Sequence, residues 1–108
     1  GLPDGSSKEE MALAMDIKQA YMLLRKARRE ITVLTSKIET VLKQMEDLML
    51  SIMENPATDP ELIFESIKGM QLEVNLMQDQ IRNNEWDEEF YSWWLKEVES
   101  GNPHIVGE

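Results

Sequence analysis

Apolar residues recur along this chain in alternating steps of three and four. Ile17, Leu24, Ile31, Ile38, Met45 and Ile52 fall on every seventh position, and Leu13, Ala20, Ala27, Leu34, Val41 and Leu48 fill the intervening series without a polar exception. This is the a/d seam of a helix that buries one continuous stripe. Ile63, Ile67, Met70, Val74, Met77 and Ile81 repeat the spacing, and after an interruption at Asn83-Asn84 a similar stripe resumes with Phe90, Trp94 or Trp93, and Val98.

Capping chemistry divides the pattern into elements. Ser6 or Ser7 with Glu9 or Glu10 three residues on fits a capping box and predicts a helix from about residue 8. No Gly or Pro interrupts it before Asn55-Pro56-Ala57-Thr58-Asp59-Pro60, whose prolines cannot continue it. Thr58 with Glu61 reads as a second box, with Pro60 in a first turn where its missing N–H costs little. Asn83-Asn84 reads as a break, with either Asn capping a third helix whose first turn, Glu85 to Glu89, is rich in the acids that the helix dipole favours. Ser100-Gly101-Asn102-Pro103 ends it. The predicted helices are 8–54, 60–83 and 85–100 in one coiled-coil domain over 8–100, between flexible tails at 1–7 and 101–108. Both ends are rich in Gly and Pro, and a start at Gly1 reads as an excised fragment carrying a tag scar.

The predicted class is all-α: an antiparallel helical hairpin or coiled coil in which one long helix packs against two shorter ones. Placing Met45 opposite Met70 makes the numbers of facing residues add up to about 115, because both helices rise equally per residue. Ile38 then faces Met77 and Leu34 faces Ile81. Asp87, Glu88 and Glu89 fall level with Arg25, Lys26, Arg28 and Arg29, and Trp93 and Trp94 fall level with Met22 and Tyr21. The same heptads also permit a parallel dimer through the first helix.

A bare hairpin needs only the seam, yet apolar residues lie outside it. Met15, Met22, Leu23, Leu42, Met49, Leu50 and Met53 widen the first helix's stripe, and Leu62, Leu72 and Leu76 line another face of the second together with Gly69. The third helix and the turn bury part of this surface in the simplest arrangement. Dimerisation into a four-helix bundle, or a partner helix crossing at Gly69, covers the rest. Eight methionines suit either core gaps or adaptable interfaces.

Composition narrows the function classes. The net charge is -10, and residues 59–108 hold twelve acids against three bases. There is no cysteine, so neither a disulfide scaffold nor a thiol nucleophile is available. No apolar run reaches the length of a membrane span, and no signal-peptide pattern opens the chain. These features lead to the expectation of an intracellular, cytoplasmic or nuclear protein with no membrane contact.

Catalytic groups are sparse. His104 is the one histidine, no Gly-x-Gly loop occurs, and adjacent carboxylates such as Glu88 and Glu89 point to different azimuths. No enzyme activity, metal or cofactor is expected. Arg25-Lys26-Ala27-Arg28-Arg29 could meet phosphates, but the overall charge repels a polyanion and the register supplies acidic partners, so nucleic acid is not an expected ligand. Glu85, Asp87, Glu88, Glu89, Glu97 and Glu99 could instead imitate a phosphate run, although a solvated face explains them as well.

Five of the seven aromatics, Trp86, Phe90, Tyr91, Trp93 and Trp94, fall within nine residues. Adjacent tryptophans are about 100° apart on a helix, so both cannot point inward. One face of the cluster can plug the open end against Leu13, Ile17 and Tyr21, and the other can form a binding hot spot. The expected function is a non-enzymatic protein–protein interaction module, an oligomerising or adaptor segment acting as a homodimer or in a hetero-complex. Its candidate partner-binding residues are Tyr21, Met22, Leu72, Leu76, Trp86, Phe90, Trp93 and Trp94. The alternative is a small acidic regulator, either a nucleic-acid mimic that inhibits a basic partner or a helical chaperone for a client protein.

Overall fold

The structure, a computed structural model, describes residues 15–101. The fold is all-α. Helix α1 (Ile17–Glu54) and helix α2 (Pro60–Glu99) pack against each other as an antiparallel hairpin, and there is no strand among the described residues. The predicted capping box at Ser6 and Ser7, the seam residue Leu13, His104 and most of both predicted tails lie outside them.

Helix α1 starts later than residue 8. The Gln19 amide donates to Asp16 Oδ1 at 2.7 Å, so Asp16 is the N-cap. Met15 before the cap and Ala20 in the second turn are both buried in one cluster, the arrangement of a hydrophobic staple. Asp16-Ile17-Lys18-Gln19 has the spacing of a capping box, a nearer start signal than the serines. At the other end, the Asn55 carbonyl accepts from the Thr58 amide at 3.0 Å and its side-chain oxygen from the Ala57 amide at 3.1 Å, which closes the turn before Pro60. The cap of α2 is Asp59 instead of Thr58: its Oδ1 accepts from the Glu61 amide at 3.0 Å, and Pro60 takes the first helical position.

The predicted break at Asn83-Asn84 is absent, and one helix of 40 residues replaces the two shorter ones. Two asparagines in a helix interior cost only about 0.5–0.7 kcal/mol each relative to alanine, which packing readily overrides. Continuing the three–four spacing past Ile81 leads through Asn84 and Glu88 to Tyr91, Leu95 and Val98. The stripe keeps its phase, with two polar residues on it. Gly101 ends the helix at φ 77°, its amide donating to the Val98 carbonyl at 3.0 Å.

The hairpin divides into two compact units. In the unit Glu30–Asn83, Leu34, Val41, Val74 and Met77 form a buried cluster with Ile38, Met45, Met70 and Ile81 packed on it. These are the residues that the predicted register pairs. The other unit joins the chain up to Arg29 with the chain from Asn84. Its cluster holds Met15, Ala20, Leu24, Phe90, Tyr91, Trp94 and Leu95, with Leu23 and Val98 packed against it. Ala20 is fully buried there, a small residue among large ones, so interdigitation rather than symmetric seam packing fills this core.

Candidate functional site

The aromatic segment separates into two populations. Phe90, Tyr91 and Trp94 are core, whereas Trp86 and Trp93 are nearly half exposed. The plug forms on Met15, Ala20, Leu23 and Leu24, not on Ile17 and Tyr21, which are exposed. Register fixes the level of a residue along the helices and leaves its azimuth open. Met22 stands two residues past the seam residue Ala20, about 200° around the helix, and is accordingly exposed.

Trp86, Glu89, Phe90 and Trp93 occupy positions i, i+3, i+4 and i+7 of α2 and line a shallow hollow of about 210 Å³. Trp86 stacks on Phe90 at 5.6 Å between centroids with 12° between planes, and Trp93 lies 6.1 Å from Phe90 at 31°. The buried Phe90 ring thus contacts both exposed indoles, one stacked and one tilted, with Glu89 between them in sequence.

Charge pairing is sparser than the sequence suggests. Arg28 Nε meets Glu88 Oε2 at 3.0 Å. Arg25, Lys26 and Arg29 are exposed and make no ion pair among the described residues, which corrects the expectation that the basic run as a whole meets Asp87 to Glu89. Helical geometry explains this, since four residues spread over more than one turn cannot all face one neighbour. Burial raises the Asp87 carboxyl above its usual value, and burial together with the Asp87 charge raises the Tyr91 phenol. The Tyr21 hydroxyl donates to Glu99 Oε1 at 2.5 Å, and that hydrogen bond, with the Glu99 charge, raises the Tyr21 phenol.

No family model, curated protein or solved structure matches this chain. Its function therefore has to be read from its own surfaces.

In the unit Glu30–Asn83 the exposed apolar residues are Val33, Leu42, Met49, Leu50 and Met53 on α1 and Leu62, Phe64, Leu72 and Leu76 on α2. Leu72 and Leu76 each stand two residues past a seam residue and so face away from α1. Among the candidate partner residues, Tyr21, Met22, Leu72, Leu76, Trp86 and Trp93 are thus presented to solvent, whereas Phe90 and Trp94 are core. Phe90 acts from beneath, as the ring on which Trp86 is stacked. Phe64 and Val33 are exposed apolar positions beyond those that the heptad pattern picks out. Phe64 immediately follows the seam residue Ile63, a step of about 100° that already excludes it from the stripe.

A second hollow of about 300 Å³, lined by Ser36, Lys37, Thr40, Val41, Gln44, Glu73 and Met77, is broad and shallow. The Thr40 hydroxyl donates to the Ser36 carbonyl at 3.2 Å, so it is engaged in its own helix. Among the described residues no group of three or more His, Cys, Asp and Glu is placed to hold a metal ion, and no helix is long and apolar enough to cross a membrane.

Proposed function

We propose that this chain is a non-enzymatic protein–protein interaction module, an oligomerising or adaptor hairpin whose outward apolar residues are its recognition surface. The observation that carries this reading is the outer face of α2, where Leu62, Leu72 and Leu76 are each about two-thirds exposed with Gly69 among them. Leu72 and Leu76, one turn apart, place two large apolar side chains next to each other in solvent, a surface suited to a partner. The apolar residues of α2 are also far less confined to one side than those of α1, as suits a helix that contacts more than its hairpin partner. A second copy is the simplest cover, and two hairpins joined this way make a four-helix bundle.

Sedimentation equilibrium tests the reading. The expected result is a mass of twice 12.5 kDa that Leu72→Asp with Leu76→Asp returns to the monomer without loss of helicity. A monomer that binds an apolar-surface dye at this face supports the adaptor form. A monomer that binds no dye overturns the proposal. The acidic-mimic alternative is less well supported, because Glu88 is paired with Arg28 and Asp87 is half-buried, which takes two carboxylates out of the run.

A further inference from the structure

We infer that the face of α2 turned away from α1 docks on the same face of a second copy of this chain, antiparallel, with the two-fold axis passing between Leu72 and Asn75. The inference rests on the interaction-module reading and names the occupant and the orientation for its outer face.

A charge pattern that complements its own reverse carries the inference. Glu65, Lys68, Leu72, Asn75, Asp79 and Arg82 recur in alternating steps of three and four, and all six are exposed. The first five each stand two residues from a seam residue, about 200° around the helix, so this second stripe lies across α2 from α1. Lys68 is as far from the midpoint of Leu72 and Asn75 as Asp79 is, and Glu65 is as far from it as Arg82. An antiparallel copy therefore brings Lys68 level with Asp79 and Glu65 level with Arg82, and the two-fold axis makes each pairing twice. Parallel pairing in register would set Glu65 against Glu65 and Lys68 against Lys68, like charge on like.

Within one chain Lys68 already meets Glu65 at 3.5 Å, and Arg82 meets Asp79. All four side chains stay more than half exposed, so each pair has capacity for further partners. Docking joins the Glu65–Lys68 pair of one copy to the Asp79–Arg82 pair of the other and forms two rings of alternating charge, and networks are worth more than isolated exposed pairs. Between Leu62 and Asn83 the one other charge on α2 is Glu73, which stands about 100° from Leu72 and off the stripe. Two chains at -10 repel each other overall, and the stripe, with two acids and two bases, is where that repulsion is cancelled locally. At its centre Leu72 and Leu76 of one copy fall beside Leu72 and Leu76 of the other. Gly69, one turn away, presents no side chain and leaves room for a leucine to pack. The leucines supply the buried area, and the charges supply orientation and register.

The test combines charge reversal with mixing, read by sedimentation equilibrium of the full chain. Glu65→Lys with Asp79→Lys makes the stripe wholly basic, and Lys68→Glu with Arg82→Glu makes it wholly acidic. Each double variant should dimerise at least about tenfold more weakly than the wild type, and an equimolar mixture of the two should recover the dimer. The first variant is the sharper probe, because it makes the chain less acidic, and general repulsion alone would then predict tighter association. Circular dichroism establishes that each variant is folded. Orientation is read by cross-linking, since the chain has no cysteine of its own. Lys68→Cys and Asp79→Cys chains mixed under mild oxidation should form a disulfide with each other. Neither should do so alone, because antiparallel copies hold the two equivalent positions about 16 Å apart. Cross-linking of each variant with itself would mean a parallel pair and would overturn the inference. A monomeric wild type would overturn it too, as would reversal variants that associate as tightly as the wild type. A dimer that Leu72→Asp with Leu76→Asp dissolves and charge reversal does not, or a monomer that binds the apolar-surface dye, sinks this inference and leaves the broader reading standing.

Discussion

Trp93 and Trp94 are adjacent in sequence and opposite in environment: Trp93 is 42% exposed, and Trp94 is 3% exposed in the core beside Leu95 and Ala20. One residue of helix turns the side chain by about 100°, enough to carry it from the cluster to the surface.

Their alanine variants should therefore diverge. Trp94→Ala removes a buried indole and should destabilise by about 3–5 kcal/mol. Trp93→Ala removes a partly exposed indole that rests on Phe90 and should cost clearly less, about 1 kcal/mol. Urea melts of the two proteins check this, and similar losses would remove the distinction between plug and surface.

The seam and the outer face of α2 make a second contrast. Val74 is 2% exposed and Leu72 is 64% exposed, two positions apart on the same helix. Val74→Asp places a carboxylate in the central cluster, a change costing several kcal/mol out of the roughly 5–15 kcal/mol typical of a domain. Far-UV circular dichroism should show loss of most helicity at room temperature. Leu72→Asp should keep the helical signal and its cooperative melt.

Gly69 offers a stabilising change. A Cβ built there meets nothing within 4 Å, and the residue has no positive φ that would require glycine. Gly69→Ala should add about 1 kcal/mol by restricting the unfolded chain and favouring the helix. Thermal melting should rise by roughly 4–8 °C for a domain of this size. A fall would mean that the position is approached closely by something, such as a second copy.

Asp87 sets a pH dependence. Its folded-state pKa is raised, so the protonated carboxyl is favoured by folding. The contribution is fully present below the ordinary aspartate pKa and is lost as pH rises through the higher folded value, leaving a cost at neutral pH. Asp87→Asn should consequently raise the melting temperature at neutral pH, with a gain that shrinks in acid where the wild-type carboxyl is neutral too. A gain independent of pH would point to a cause other than ionisation.

Much of the hairpin was legible from heptads alone. A seam every three or four residues, a double-proline turn and equal rise per residue determine which residues lie level, and Leu34, Ile38, Val41 and Met45 do cluster with Ile81, Met77, Val74 and Met70. At Asn83-Asn84 the local preference for a break is overridden, and the helix runs on. Weak propensities summed over two residues do not break a helix whose stripe resumes in phase on Tyr91, Leu95 and Val98.

The candidate surfaces divide along the same line. By itself the sequence determined the heptad seams, the proline turn between them, the axial register, and the rule that Trp93 and Trp94 could not share an environment, because each follows from fixed helical periodicity or from proline's missing N–H. Only the tertiary structure decided that Trp94 is the buried one, that Phe90 lies beneath Trp86, and that Arg28 alone of its basic run meets Glu88. Those outcomes depend on azimuth and on what covers each face, and burial is a property of neighbours far away along the chain.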